Sequence, residues 1–141
     1  MMSAYRLVPV LISFVMLQTI CEAGLFPAKR TIDIMNNVYV GRSGVDITVH
    51  CKSGDDDLGQ HVLPYGGTYT FRFGPKGNTL FFCSFAWQNQ FKWFDIYIDN
   101  RDRELCRYCQ WFIKADGPCF WNYETENVEC KQWNSDVALN N

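Results

Sequence analysis

The sequence predicts an all-β fold, a small antiparallel β-sandwich stabilised by disulfides. Three observations predict it. Apolar and polar residues alternate with period two through most of the chain; clusters of Gly, Pro, Asn and Asp separate those runs at short intervals; and six cysteines remain once an N-terminal leader is set aside. Composition agrees. With 141 residues, 48% hydrophobic and 20% charged, the chain suits one soluble domain with a single core. A formal net charge of -2 speaks against a nucleic-acid partner, which needs a basic field.

The first residues form the leader. Arg6 precedes an apolar run from Leu7 to Leu17, shorter than the roughly 20 residues that span a bilayer. Small side chains follow at Cys21 and Ala23, so residues 1–23 read as a signal peptide, with the mature domain over 24–141. The expectation is a secreted, extracellular protein with no membrane insertion. Cys21 leaves with the signal, and Cys51, Cys83, Cys106, Cys109, Cys119 and Cys130 form a disulfide framework. Six cysteines allow many pairings, and alternation alone selects none.

The strands follow in order. Thr31-Ile32-Asp33-Ile34 opens the set. In Val45-Asp46-Ile47-Thr48-Val49-His50-Cys51, Cys51 falls on the apolar face and His50 on the polar one. Tyr69-Thr70-Phe71-Arg72-Phe73 repeats the pattern with aromatics. The run from Thr79 to Trp87 is apolar on both faces, which predicts a central strand with Phe81, Cys83, Phe85 and Trp87 on one side. The run from Phe91 to Asp99 puts Phe94, Ile96 and Ile98 inward. Runs 109–114, 119–123 and 128–131 complete the sheets, rich in the β-branched and aromatic residues that strands favour. The turns fall at 41–44, 53–59, 64–67, 74–78, 99–103 and 116–118, where Gly, Pro, Asn and Asp supply the required backbone angles. No stretch has a helical period, and the tail after Trp133 is polar.

Motifs that could carry chemistry are few. Cys106-Arg107-Tyr108-Cys109 has redox or zinc spacing, but it lacks the βαβ setting of the first and the second ligand pair of the second. His50 and His61 lack a glycine-flanked nucleophile, so no catalytic residue is assigned. Asp55, Asp56 and Asp57 are adjacent, and successive side chains diverge rather than converge on calcium; no metal or cofactor is expected. Trp87, Trp93, Trp111, Trp121 and Trp133 could form a sugar platform but fit an aromatic core better.

Several stretches, taken in order, go beyond composition. They are Val49-His50-Cys51-Lys52-Ser53, Asp55-Asp56-Asp57-Leu58-Gly59, Phe81-Phe82-Cys83-Ser84-Phe85-Ala86-Trp87, Trp93-Phe94-Asp95-Ile96-Tyr97, Cys106-Arg107-Tyr108-Cys109-Gln110-Trp111, Asp116-Gly117-Pro118-Cys119, and Cys130 followed by Trp133. Together they resemble the plant self-incompatibility protein family, the stigmatic S-proteins of poppy and their homologues. The match spans about 31–133, the expected core of the domain. The resemblance implies a small secreted, disulfide-bonded sandwich acting as a non-enzymatic ligand, recognised by a cell-surface receptor through exposed loops. The loops in that position are residues 53–59, with Asp55, Asp56 and Asp57, and residues 99–103, with Asn100, Arg101, Asp102 and Arg103. Within this reading the protein is a monomer, and the expected bridges are Cys51–Cys130 and Cys83–Cys119, which close long loops. Cys106 and Cys109 are then either bonded together or exchanged into another pair. The competing readings are a small extracellular enzyme using His50, an inhibitor, or a secreted defence protein.

Overall fold

The computed structural model describes residues 28–135; the expected signal peptide lies outside them. Eleven strands and one helical turn follow in order: β1 (Arg30–Asn36), β2 (Tyr39–Val40), β3 (Ser43–Gly44), β4 (Ile47–Lys52), β5 (Asp57–Leu63), β6 (Thr68–Phe73), β7 (Leu80–Trp87), β8 (Gln90–Ile98), α1 (Asp99–Asp102), β9 (Tyr108–Lys114), β10 (Gly117–Asn122) and β11 (Asn127–Cys130). A five-stranded sheet, ordered β11-β10-β9-β1-β6, faces a four-stranded sheet, ordered β5-β4-β7-β8, and β2 with β3 forms a small hairpin. The fold is the expected all-β sandwich.

Alternation builds the core. On β1, Ile32 and Ile34 are buried between half-exposed neighbours; on β4, Ile47, Val49 and Cys51 are buried; on β7, Phe81, Cys83, Phe85 and Trp87 are. Two aromatic groups fill the space between the layers. Phe73 packs on Phe81 and Tyr97 at 4.7 and 4.8 Å between ring centroids, and Trp111 packs on Phe94 and Phe120, each at 5.1 Å. Trp133 closes one end, stacking near Phe85 while its indole N–H donates to the Ala115 carbonyl at 3.0 Å. Beside that end Gly117 is obligatory: its φ is +155°, and a Cβ there would stand 2.0 Å from the Lys131 carbonyl oxygen.

Five expectations need correction. The sandwich is not wholly antiparallel, because β1 pairs parallel with β9, Thr31 opposite Tyr108. A parallel pair needs a long crossover, and the whole four-stranded sheet serves as one. Ile98 faces outward. The pairing of β7 with β8 slips where Phe81 meets Tyr97 but Phe82 meets Asp95, so Ile96 and Tyr97 are both buried and Ile98 lies opposite exposed Leu80. Residues 57–59 belong to β5 rather than to a turn; β5 is a polar edge strand in which Gly59 takes φ +75° at a register shift. Residues 99–102 form one helical turn.

The disulfides are the fifth correction. All six cysteines among the described residues are bonded, but as Cys51–Cys83, Cys106–Cys109 and Cys119–Cys130, not Cys51–Cys130 and Cys83–Cys119. Cys51 and Cys83 are register partners on β4 and β7; Cys119 and Cys130 are partners on β10 and β11. Each expected bridge joined one sheet to the other. Loop length ranks the benefit of a bridge, whereas strand register decides which sulfurs can meet.

Candidate functional site

The two outward sheet faces differ in kind. Residues paired across strands share a face, so the registers place Thr31, Asp33, Thr70, Arg72, Tyr108 and Gln110 together outside the five-stranded sheet. Those two rows are polar and internally bonded: Tyr108 donates to Asp33 at 2.6 Å, and Thr70 donates to the same carboxylate; the next row, Met35 opposite Phe112, is apolar but half-buried.

On the four-stranded sheet one row runs Gln60, His50, Ser84, Trp93, and the next runs Asp57, Lys52, Phe82, Asp95. With Leu80 and Phe91 these residues, Asp57 apart, line a groove of about 640 Å³. Leu80, Phe82 and Phe91 are exposed there, 58% in the case of Phe91. An apolar floor framed by polar side chains is how a binding face is built.

The frame carries paired charges. The Nε2 of His50 lies 2.5 Å from Asp57 Oδ1, and Lys52 Nζ lies 3.8 Å from Asp57 Oδ2. The hydrogen bond from His50, then that from the Gly59 N–H, holds the Asp57 carboxyl below its usual range. On the far side Asn134 donates to Asp95 at 3.4 Å, and its backbone N–H bonds the Trp93 carbonyl.

The acidic turn stands at the groove's end. The groove continues past Leu80 and Phe82 into a second recess lined by Ser53, Gly54, Asp55, Lys76, Asn78 and Thr79. The turn is preorganised: Ser53 Oγ accepts from the N–H groups of Asp55 and Asp56, and the Ser53 N–H donates to the Asp56 carbonyl at 2.8 Å. Its carboxylates diverge. Asp55 pairs with Lys76 at 3.0 Å, Asp57 turns to His50, and Asp56 is exposed.

The second expected loop is different. Asp99 and Asp102 are 2% and 3% exposed. Tyr97 donates to Asp99 Oδ1 at 3.0 Å, and Arg103 donates to Asp99 Oδ2. Asp102 accepts from the Ile98 N–H at 2.8 Å and from Arg101 Nε at 2.7 Å. The Arg101 guanidinium also lies 5.4 and 5.5 Å from the Phe94 and Trp111 ring centres. Arg101 and Asp102 therefore hold the end of β8 in place; Asp102, being buried, is corrected from partner-facing to structural, while Arg101 stays partly exposed. Asn100 and Arg103 stay exposed. The Arg103 guanidinium holds the Asp99 carboxyl low against the cost of burial; burial, then the bond to Asp99, pushes the Tyr97 hydroxyl up to about 12.

Of the tryptophans, Trp87 and Trp111 are core and Trp133 packs on it, while Trp93 lines the groove. The groove escaped the sequence reading. Its signal was present in Leu80 and Phe82, which alternate away from Phe81 and Cys83, and in Phe91 and Trp93, which fall opposite in phase to Phe94.

Comparison with known proteins fits this architecture. Residues 31–133 match the family described as plant self-incompatibility protein S1. S-protein homolog 5 of Arabidopsis thaliana is 52% identical over 99 residues, covering 68% of this chain and 75% of the relative. S-protein homolog 2 of the same plant is 41% identical over 122 residues, covering 80% and 74%. A solved structure of SPH (Self-Incompatibility Protein Homologue) proteins, described as a widespread family of small, highly stable, secreted proteins from plants, aligns with a TM-score of 0.57 at 22% identity, over 77% of this chain and 97% of that one. The same fold, the same family match and relatives of this identity together place the chain in the plant self-incompatibility protein S1 family.

Proposed function

We propose that this chain is a secreted, non-enzymatic recognition ligand that binds a cell-surface protein as a monomer. Its docking face is the groove of the four-stranded sheet with the acidic turn at its end. The exposed apolar floor carries this reading. Leu80, Phe82 and Phe91 stand outward on well-paired strands, where packing of the core does not call for them. Asp56 and the Asp55–Lys76 pair supply charge at the rim, where it sets orientation and association rate more than affinity. Secretion is supported by the leader-like residues 1–23 and by the bonding of all six remaining cysteines, a state that oxidising compartments maintain.

The test is saturable binding of labelled, oxidised protein to intact plant cells. Phe82→Asp and Phe91→Asp should each weaken binding about tenfold or more with unchanged melting, since centrally buried aromatics dominate interfaces. Val128→Asp, an exposed apolar position on β11, should not. Equal binding by all three variants sinks the docking face.

One observation favours a second reading. His50 holds Asp57 at 2.5 Å, and Ser84 is its cross-strand neighbour, which brings the residue types of a hydrolase triad together. Among the described residues no hydrogen bond joins His50 to Ser84, which supports the ligand over the enzyme. A secreted hydrolase activity abolished by both His50→Ala and Ser84→Ala would reverse that preference.

A further inference from the structure

Arg30 opens β1 and is 8% exposed, a buried cation at the edge of the core. Its Nη1 donates to the Ala28 carbonyl at 2.7 Å and its Nη2 to the Arg103 carbonyl at 3.2 Å. Its Nε has no partner among the described residues. Arg103 lies beside it, bonded to Asp99 and, at 3.2 Å, to the Gly77 carbonyl. With Pro75, Lys76 and Gly77 these arginines line a cavity of about 520 Å³. No carboxylate is among its lining residues. Asp99 pairs with Arg103 and Asp55 with Lys76, and Glu104 adds its charge beside Arg103. Arg30 alone of the three cations makes no ion pair among the described residues.

We propose that this cavity is a binding site for an oxyanion (a carboxylate, sulfate or phosphate group), held by Arg30 and Arg103 with Lys76 at the mouth. A buried guanidinium is costly unless its donors and charge are matched, and Arg30 has neither a carboxylate partner nor a partner for its Nε–H among the described residues. Arginine's planar fork suits such oxygens, and bonds between charged groups are stronger than neutral ones. Gly77, at φ +88°, keeps the lip free of a side chain beside Arg103. The cavity is larger than an inorganic ion needs and has the size of a small-molecule site, so it accommodates an acid group carried on a sugar-sized body. The cavity adjoins the docking face, since Lys76 lines both it and the recess at the groove's end, but an amide titration reads anion binding and not cell binding, so the two readings can fail separately.

The experiment is amide NMR titration of the oxidised protein with sodium sulfate, sodium phosphate and sodium galacturonate, each against sodium chloride at equal ionic strength to remove screening. Saturable shifts are expected at the amides of Arg30, Gly77 and Arg103 with at least one probe. The first two probes against the third distinguish a tetrahedral anion from a carboxylate. Lys76→Gln and Arg103→Gln should each weaken the response about tenfold, the loss of one charged hydrogen bond, while Lys114→Gln leaves it unchanged. If Arg103→Gln fails to fold, exposed Lys76 carries the test alone. Three results overturn the proposal: no saturation beyond that of chloride, shifts unchanged by Lys76→Gln, or an adventitious ion only, seen as equal shifts beside Arg42, Arg72 and Lys114.

Discussion

The turn at residues 53–56 and the helical turn α1 each gather carboxylates and cations within a few residues, and in sequence both read as solvated connections. In the fold they part. The first is tied by one serine hydroxyl and its own backbone, and its acids reach outward to Lys76 and His50. The second is tied by its acids themselves: Asp99 and Asp102 are buried, and each accepts from an arginine and from a group on β8. Composition does not distinguish a presented charge from a structural one. Depth does, because a buried carboxylate is retained only where donors surround it.

Replacing Asp99 tests that distinction most severely. Asp99→Ala removes a charged hydrogen bond and leaves the buried Tyr97 hydroxyl unpaired, a loss of about 3 kcal/mol in denaturant unfolding. A loss below about 1 kcal/mol would mean that α1 is as dispensable as an exposed turn.

The pH dependence of stability gives a smaller effect at the same place. Asp99 is held below its ordinary 3.8, so its contribution is complete above that pH and is lost as pH falls through the lowered value. Tyr97 is raised from 10.0 to about 12, so its contribution is complete below pH 10 and is lost as pH rises through about 12. Unfolding midpoints should therefore decline in both windows, and Tyr97→Phe should flatten the alkaline one. An alkaline decline unchanged in Tyr97→Phe would assign it to another group.

The smallest effect on stability belongs to the other turn. Asp55→Ala, Asp56→Ala and Asp57→Ala combined should leave the melting temperature close to wild type, since exposed pairs contribute little. The same triple variant should bind plant cells more weakly. Full binding would remove the turn from the docking face and leave the apolar groove alone.

How far the sequence could be read follows from the same physics. The runs containing Val49 and Phe85 were legible because one face of each strand is buried and the other is not. β5 was not, because it carries Asp57, Gly59 and Gln60 and the register shift at Gly59 breaks the alternation between inward Leu58 and Leu63. Ile98 was misplaced because a register slip is a property of two strands, and one strand does not record it. The disulfide partners were hidden for that reason too. The groove was hidden by a different ambiguity: Leu80 and Phe82 look the same in sequence whether a second layer covers them or a partner does. The cationic cavity joins residues 30, 76 and 103, a juxtaposition that only the folded chain creates.

The placement of the bridges has a mechanical consequence. Each of the two cross-strand bonds staples neighbours inside one layer, the third clips a tight corner, and among the described residues no disulfide spans the interior. Oxidation thus locks each layer's weave while cohesion between layers rests on interdigitated rings. Under load the laminate should delaminate before its threads unravel.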